Sequence, residues 1–76
     1  MNSSYNNLES VKLSSQEINC LRIYIENYNI KYIAKQLNIT LNTAISYIEN
    51  IKKKLNCHTK EELLQKAEFL KELGKI

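Results

Sequence analysis

Apolar residues recur at spacings of three and four from residue 13 onward, which is the period of a helix that buries one face. Polar interruptions divide the pattern, so we expect four helices over about 15–27, 30–37, 41–55 and 60–72. The expected inward-facing stripes are Ile18, Leu21, Ile25 and Tyr28; Ile30, Ile33, Ala34 and Leu37; Ala44, Ile48, Ile51 and Leu55; and Leu63, Ala67 and Leu70. Residues 1–12 are rich in Asn and Ser, which favours a flexible N-terminal arm.

Capping side chains mark the interruptions between the predicted helices. The expected N-caps are Ser14, Asn29, Thr40 and Thr59. Ser14 with Glu17, and Thr59 with Glu62, also have the spacing of a capping box. Asn38 tolerates the left-handed conformation that ends a helix, so a link of about three residues joins the second and third helices. That arrangement is typical of a helix-turn-helix, and the predicted class is an all-α, four-helix domain over residues 13–76.

The composition disfavours several other classes of protein. The chain has no proline and a single glycine, Gly74, whereas an all-β fold needs many of both in its turns. No apolar run approaches the roughly 18 residues of a membrane span. No basic segment followed by an apolar one resembles an export signal. We therefore expect a cytoplasmic protein with no membrane contact.

Catalytic and metal-binding patterns are missing from the sequence. Cys20, Cys57 and His58 are too few to fill the four ligand positions of a structural zinc site, and both cysteines are expected to be small buried residues. The sequence holds no glycine-rich phosphate loop, no nucleophile elbow and no paired-acid site. We expect no catalytic residue, no metal, no cofactor and no small-molecule ligand in this domain, and the protein is not expected to be an enzyme.

Positive charge is concentrated on the predicted helix-turn-helix. The formal net charge is only +3, but residues 30–55 hold five lysines against the single acid Glu49. The first and fourth helices each have one more acidic than basic residue. A basic patch on a helix-turn-helix is the electrostatic footprint of a nucleic-acid binder.

Four segments closely resemble the LuxR/GerE family of bacterial helix-turn-helix transcriptional regulators. They are LSSQE (13–17), IKYIAKQL (30–37), NITLNTA (38–44) and IKKKL (51–55). The resemblance covers about 13–70, and the length of the chain is similar to that of family members that stand alone. It implies a regulator that binds double-stranded DNA, forms a homodimer through its last helix and contacts RNA polymerase.

The resemblance also implies roles for individual residues. Lys31, Thr43 and Lys54 match family positions near DNA phosphates. With the neighbouring polar and basic side chains, the expected phosphate-binding set is Lys31, Lys35, Asn42, Thr43, Lys53 and Lys54. The family positions that face bases fall at Ile45, Ser46 and Glu49, where the family more often has basic, amide or small side chains.

Those departures bear on which bases could be read. Ile45 can pack on a thymine methyl group, Ser46 can bond to most base edges, and Glu49 can accept from cytosine N4. These contacts are weaker than a bidentate arginine on guanine. We expect a modest sequence preference that leans towards A·T pairs, with helix 41–55 in the major groove.

The fourth helix has more apolar residues than so small a domain can bury. The expected dimer interface is Leu64, Ala67, Phe69, Leu70 and Leu73. A competing interpretation is a protein-interaction module or anti-activator that pairs with longer LuxR-type regulators through this helix. Another is that these residues belong to a longer regulated protein, against which Met1 and the polar arm argue.

Overall fold

The computed structural model describes residues 11–76 and folds them into four α-helices. The helices are α1 (Ser15–Asn27), α2 (Ile30–Leu37), α3 (Leu41–Leu55) and α4 (Lys60–Glu72). Residues 11–76 contain no strand, and the predicted all-α, four-helix class is confirmed. Residues 1–10 of the predicted arm lie outside the described part of the chain.

The predicted capping residues begin the first three helices. Ser14 Oγ accepts from the Glu17 amide at 3.1 Å, and the Glu17 carboxylate accepts from the Ser14 amide at 2.8 Å, which completes a capping box. Asn29 Oδ1 and Thr40 Oγ1 each accept an amide of the first turn of α2 and α3. These bonds satisfy amides that the start of a helix leaves without intrahelical partners.

The capping box predicted before α4 has a different geometry. Thr59 Oγ1 accepts from the Glu62 amide at 3.1 Å, as expected. The Glu62 carboxylate, however, accepts from the amide of His58 at 2.8 Å, one residue before the N-cap. The hydrogen bond from the His58 amide is the main reason why the pKa of Glu62 lies below its usual value.

A tight turn joins α2 to α3. Asn38 adopts the predicted left-handed conformation with φ of 56°, and the Ile39 amide donates to the Ala34 carbonyl at 2.9 Å. Ile39 packs half-buried against the core. Thr40 then caps α3 directly, so residues 38–40 alone separate the two helices.

The core centres on α1 and α3, each of which packs against the other three helices. The predicted stripe of α3 is buried throughout: Ala44, Ile48, Ile51 and Leu55. The predicted stripe of α4 is also buried: Leu63, Ala67 and Leu70. One side of α3 therefore belongs to the core, and the opposite side faces solvent.

The buried face of α1 differs from the predicted one. Glu17, Cys20, Leu21 and Tyr24 are the buried residues of α1, while the expected Ile18 and Ile25 are only half-buried. The reason is that α1 is covered by three helices, so its position between them decides which residues are enclosed.

Tyr28 is a second departure from the expected stripe. It follows the last residue of α1 in the left-handed conformation, with φ of 55°, and is 54% exposed. Its side chain has left the helical face that the sequence period assigns to it. The Lys60 ammonium instead lies 5.5 Å from the centroid of the Tyr28 ring.

Both cysteines are buried and free, as expected for small apolar side chains. Burial raises the pKa of the Cys20 thiol and of the Cys57 thiol. Raised thiol pKa values lower the thiolate fraction at neutral pH, which is typical of structural rather than reactive cysteines.

Lys66 is a buried cation that is absent from the predicted inward-facing stripe of α4. It lies on the inner side of α4 and is 4% exposed. Its ammonium donates to the Leu55 carbonyl at 2.8 Å and to the Asn56 carbonyl at 3.1 Å, at the C-terminal end of α3. A helix end has unpaired carbonyls and partial negative charge, so it can hold a desolvated ammonium. Lys66 thereby ties α4 to the end of α3.

Replacing Lys66 by Met should lower the free energy of unfolding by about 1–3 kcal/mol, because the buried Leu55 carbonyl and the part-buried Asn56 carbonyl lose their donor. Urea denaturation at neutral pH measures the change. Lys71→Met is the matched control, since it removes the same charge from an exposed position of α4. It should change the free energy of unfolding by less than about 0.5 kcal/mol. Equal stability of Lys66→Met and the wild type would contradict the anchoring role.

Candidate nucleic-acid interface

The exposed side of α3 is the surface that the helix-turn-helix offers to a partner. It lies opposite the buried stripe and carries the three predicted base-reading residues, Ile45, Ser46 and Glu49, all of them exposed. Asn42 and Thr43 are also exposed, in the first turn. This side of α3 combines one apolar side chain with several hydrogen-bonding groups.

Three exposed lysines provide unpaired positive charge on α2 and α3. Lys31 and Lys35 lie four residues apart on the exposed side of α2, and Lys53 is exposed in the last turn of α3. Within residues 11–76, none of the three forms an ion pair. Their ammonium groups are therefore available to bind anions.

A shallow open groove brings two predicted contact types together. Lys31 at the start of α2 and Ile45 in the second turn of α3 line the same groove, together with Leu41, Tyr28 and Asn29. Lys31 belongs to the predicted phosphate-binding set and Ile45 to the predicted base-reading set. The fold thus places a cation beside an apolar side chain on the exposed side of α3.

The Thr43 hydroxyl can donate a hydrogen bond outward. Thr40 Oγ1 accepts from the Thr43 amide at 3.1 Å and donates to Thr43 Oγ1 at 2.8 Å. Thr43 Oγ1 acts as an acceptor in this pair, so its own hydrogen is available for an external acceptor such as a phosphate oxygen.

Lys54 differs from the other lysines predicted to bind phosphate, because its ammonium already has a partner within the domain. Its ammonium lies 2.7 Å from Glu17 Oε1 and also contacts the Lys12 carbonyl at 3.5 Å. The Glu17 side chain is 6% exposed, and a buried carboxylate needs a partner of opposite charge. The Lys54 charge is therefore used to join α3 to α1, and it adds little to the attraction of an external anion.

This contact changes the titration of Glu17. Burial raises the pKa of the carboxyl, but the hydrogen bonds from Lys54 and from the Ser14 amide outweigh it and hold the pKa below the usual 4.5. Glu17 therefore remains ionised well into acidic solution.

Glu49 and Lys52 form a much weaker pair on the same helix. Their charged atoms are 3.9 Å apart, and the Glu49 side chain is 59% exposed. Exposed pairs of this kind contribute little to stability. Glu49 can therefore turn towards a ligand, although its charge opposes a phosphate backbone.

The predicted dimer residues on α4 do not form one strip. Ala67 and Leu70 are buried in the core of the protomer, so they have no surface for a partner, and their assignment to the interface is wrong. Leu64 lies about 140° around the helix from Phe69 and packs half-buried against the core. Phe69 and Leu73 share the other side of α4, where Leu73 is 40% exposed.

The sequence contains partial signals for the residues that were missed. Leu41 precedes Ile45 by one helical turn, which indicates a shared face. Lys66 stands three residues after Leu63 and four before Leu70, so it interrupts an apolar stripe at a core position. No local signal pairs Lys54 with Glu17, which lies 37 residues away.

The described residues show neither a metal-binding cluster nor a membrane-spanning helix. Residues 11–76 contain no group of three or more His, Cys, Asp or Glu side chains that could hold a metal ion. Across the same part of the chain, no helix has the length and apolar character needed to cross a bilayer.

The family model for bacterial regulatory proteins of the luxR family, GerE, matches residues 11–67. The match covers α1, α2, α3 and the start of α4, and therefore the whole exposed side of α3. No curated protein and no solved structure gives a significant match to the chain.

The ion pair between α1 and α3 predicts a specific pH dependence. Because the pKa of Glu17 is lower in the folded state, its stabilisation is complete above about pH 4.5 and is lost as the pH falls through the folded-state value. Glu17→Gln should lower the free energy of unfolding by about 1–3 kcal/mol at neutral pH and reduce its fall in acid.

Urea denaturation of the wild type and Glu17→Gln, from neutral pH down to about pH 3, measures the difference. Glu62 also has a lowered pKa, so the variant should keep part of the dependence. Parallel stability curves for the two proteins would show that Glu17 is not the titrating group.

Proposed function

The chain belongs to the LuxR family of bacterial regulatory proteins, which are DNA-binding helix-turn-helix regulators, and we propose that it recognises a DNA sequence as a homodimer with α3 in the major groove. The observation that supports this proposal is the arrangement of side chains on the exposed side of α3. The side chains predicted to read bases lie on it between Lys31, beside the N-terminal half of the helix, and Lys53 near its C-terminal end.

Phosphate binding supplies most of the affinity in this mechanism. Lys31, Lys35 and Lys53 neutralise phosphates and release counterions, while the Thr43 hydroxyl and the Asn42 amide add hydrogen bonds to the backbone. These contacts set the position of the domain on the duplex but carry no sequence information.

Base recognition comes from the side chains that project from the middle of the exposed side. Ile45 packs against an apolar group of a base, and Ser46 forms a hydrogen bond with a base edge. Glu49 accepts a hydrogen bond from an exocyclic amino group. Because none of them makes a bidentate contact to guanine, the sequence preference is modest.

The homodimer contact is proposed for the side of α4 that carries Phe69 and Leu73. The outer side of the helix carries Glu61, Glu68 and Glu72, so a face-to-face pairing of two copies would oppose like charges. A contact through Phe69 and Leu73 lies to one side of the acidic surface, with Glu68 and Glu72 at its edge in the groove beside Phe69. Contact with RNA polymerase stays a prediction from the resemblance, and a cytoplasmic location stays a prediction from the hydropathy pattern of the sequence.

A salt titration of DNA binding tests the proposed function. Three unpaired lysines per protomer imply a slope of log affinity against log salt of about −2.7 per protomer. Lys31→Ala, Lys35→Ala and Lys53→Ala should each make the slope per protomer shallower by about 0.9 and weaken binding to all sequences alike. Fluorescence anisotropy with a labelled duplex measures both effects.

Lys71→Ala is the matched control for this titration. It removes the same charge from α4, where Lys71 lines a different groove with Arg22 and Ile76. Its salt slope should equal that of the wild type. A flat salt response of the wild type, or equal effects of Lys71→Ala and Lys31→Ala, would rule out the proposed DNA-binding surface.

Leu73→Glu tests the dimer contact. Placing a charge beside Phe69 should shift the protein on a duplex from two copies to one, because an ionised side chain cannot be buried there without a partner. Size-exclusion chromatography with light scattering, with and without the duplex, measures the stoichiometry.

Asn19→Glu, which adds the same charge to an exposed position of α1, should leave two copies bound. A wild-type protein that binds the duplex as one copy would contradict the homodimer. Weak, sequence-independent binding by a single copy would support the competing interpretation as a partner of longer regulators.

A further inference from the structure

Exposed apolar side chains cluster at the N-terminal half of α3. Within residues 11–76 the large hydrophobic residues with substantial exposure are Tyr28, Tyr32, Leu41, Ile45 and Leu73. Three of them, Tyr28, Leu41 and Ile45, line the same shallow groove as Lys31. Leu41 and Ile45 are 40% and 39% exposed, although the core of the domain is otherwise well closed.

We infer that Leu41 and Ile45 together form a reader of C5-methyl groups in the major groove, so that the domain selects sites with thymines in register with this pair. This inference rests on the proposed function and specifies which chemical group the α3 surface recognises. Leu41 enters the site as a specificity-determining residue beside Ile45.

The chemistry of the two side chains limits what they can contact on DNA. Neither Leu41 nor Ile45 can donate or accept a hydrogen bond, and neither can neutralise a phosphate. The thymine methyl is the apolar group that the four base pairs present at the edge of the major groove. Residues at the N-terminal end of a recognition helix are the ones that contact base edges.

The spacing of the two residues fits the duplex. Leu41 and Ile45 are one helical turn apart, which is about 6 Å along the helix axis. Base pairs follow one another at about 3.4 Å, so methyl groups two steps apart are separated by a similar distance. A short run of thymines on one strand therefore offers methyl groups to both side chains.

The charge next to the pair favours a polyanion over an apolar protein surface. Lys31 lines the same groove and has no ion-pair partner within residues 11–76. An apolar partner that covered the groove would desolvate this ammonium without compensation, which is costly. A DNA duplex supplies phosphates for Lys31 and methyl groups for the apolar pair at the same time.

Replacing thymine by uracil tests the inference, because the exchange removes the methyl group and leaves the base-pair hydrogen bonds unchanged. The probes are two labelled duplexes of about two helical turns with alternating A·T or alternating A·U pairs. Wild-type affinity for the A·U duplex should be lower by about fourfold for each methyl group contacted. A G·C duplex should bind more tightly when its cytosines carry 5-methyl groups.

Variants then show which side chains read the methyl group. Leu41→Ala and Ile45→Ala should bring the ratio of the two affinities towards one, because the apolar contact is lost in both duplexes. Ile45→Gln keeps a long side chain without a methyl group and should also reduce the ratio, which protects the test if an alanine variant is destabilised. Thermal unfolding followed by circular dichroism verifies that each variant is folded.

Lys35→Ala distinguishes a failure of this inference from a failure of the proposed function. It should weaken binding to both duplexes by the same factor and leave their ratio unchanged. Two results would overturn methyl reading even if the lysine variants behave as expected. One is equal wild-type affinity for the two duplexes, and the other is an unchanged affinity ratio in all three variants of Leu41 and Ile45. If salt and the lysine variants have no effect either, the proposed function itself fails.

Discussion

The packing of α1 against α3 is the contact on which the rest of this domain depends. The Glu17 carboxylate takes part twice, because it completes the capping box that starts α1 and binds the Lys54 ammonium of α3 at 2.7 Å. Lys66 holds the same end of α3 from α4 through the carbonyls of Leu55 and Asn56. With one end fixed from two helices and its inner stripe buried, α3 can present only its outer side to a partner.

This arrangement redistributes the charge that the sequence places on residues 30–55. Lys54 is neutralised by Glu17, and Lys52 lies near Glu49, so Lys31, Lys35 and Lys53 remain as the unpaired cations. The electrostatic attraction to DNA is therefore smaller than a count of lysines indicates. A surface with less charge depends more on short-range contacts, which gives the apolar residues of α3 greater influence on the choice of sequence.

The apolar residues of the fourth helix are divided between the core and the proposed dimer contact. The inner side of this helix closes the core with Ala67 and Leu70, while Phe69 packs half-buried against the core on one flank and Leu73 is more exposed there. A contact of this size is small for a stable protein–protein interface. Dimerisation would then depend on DNA, because two protomers on adjacent half-sites are held at a high effective concentration.

Features that depend only on neighbouring residues follow from the amino-acid sequence. Capping side chains at Ser14, Asn29 and Thr40 and the apolar period of α3 act over three or four residues, so the class of fold and the exposed position of Ile45 could be predicted. Features that depend on which helices contact one another are set only in the folded domain. The partner of Lys54 lies 37 residues away, and the buried face of α1 is set by the three helices around it. Local periodicity carries no information about such distant neighbours. It indicates that a residue faces the core, but it does not indicate which residues of other helices it contacts.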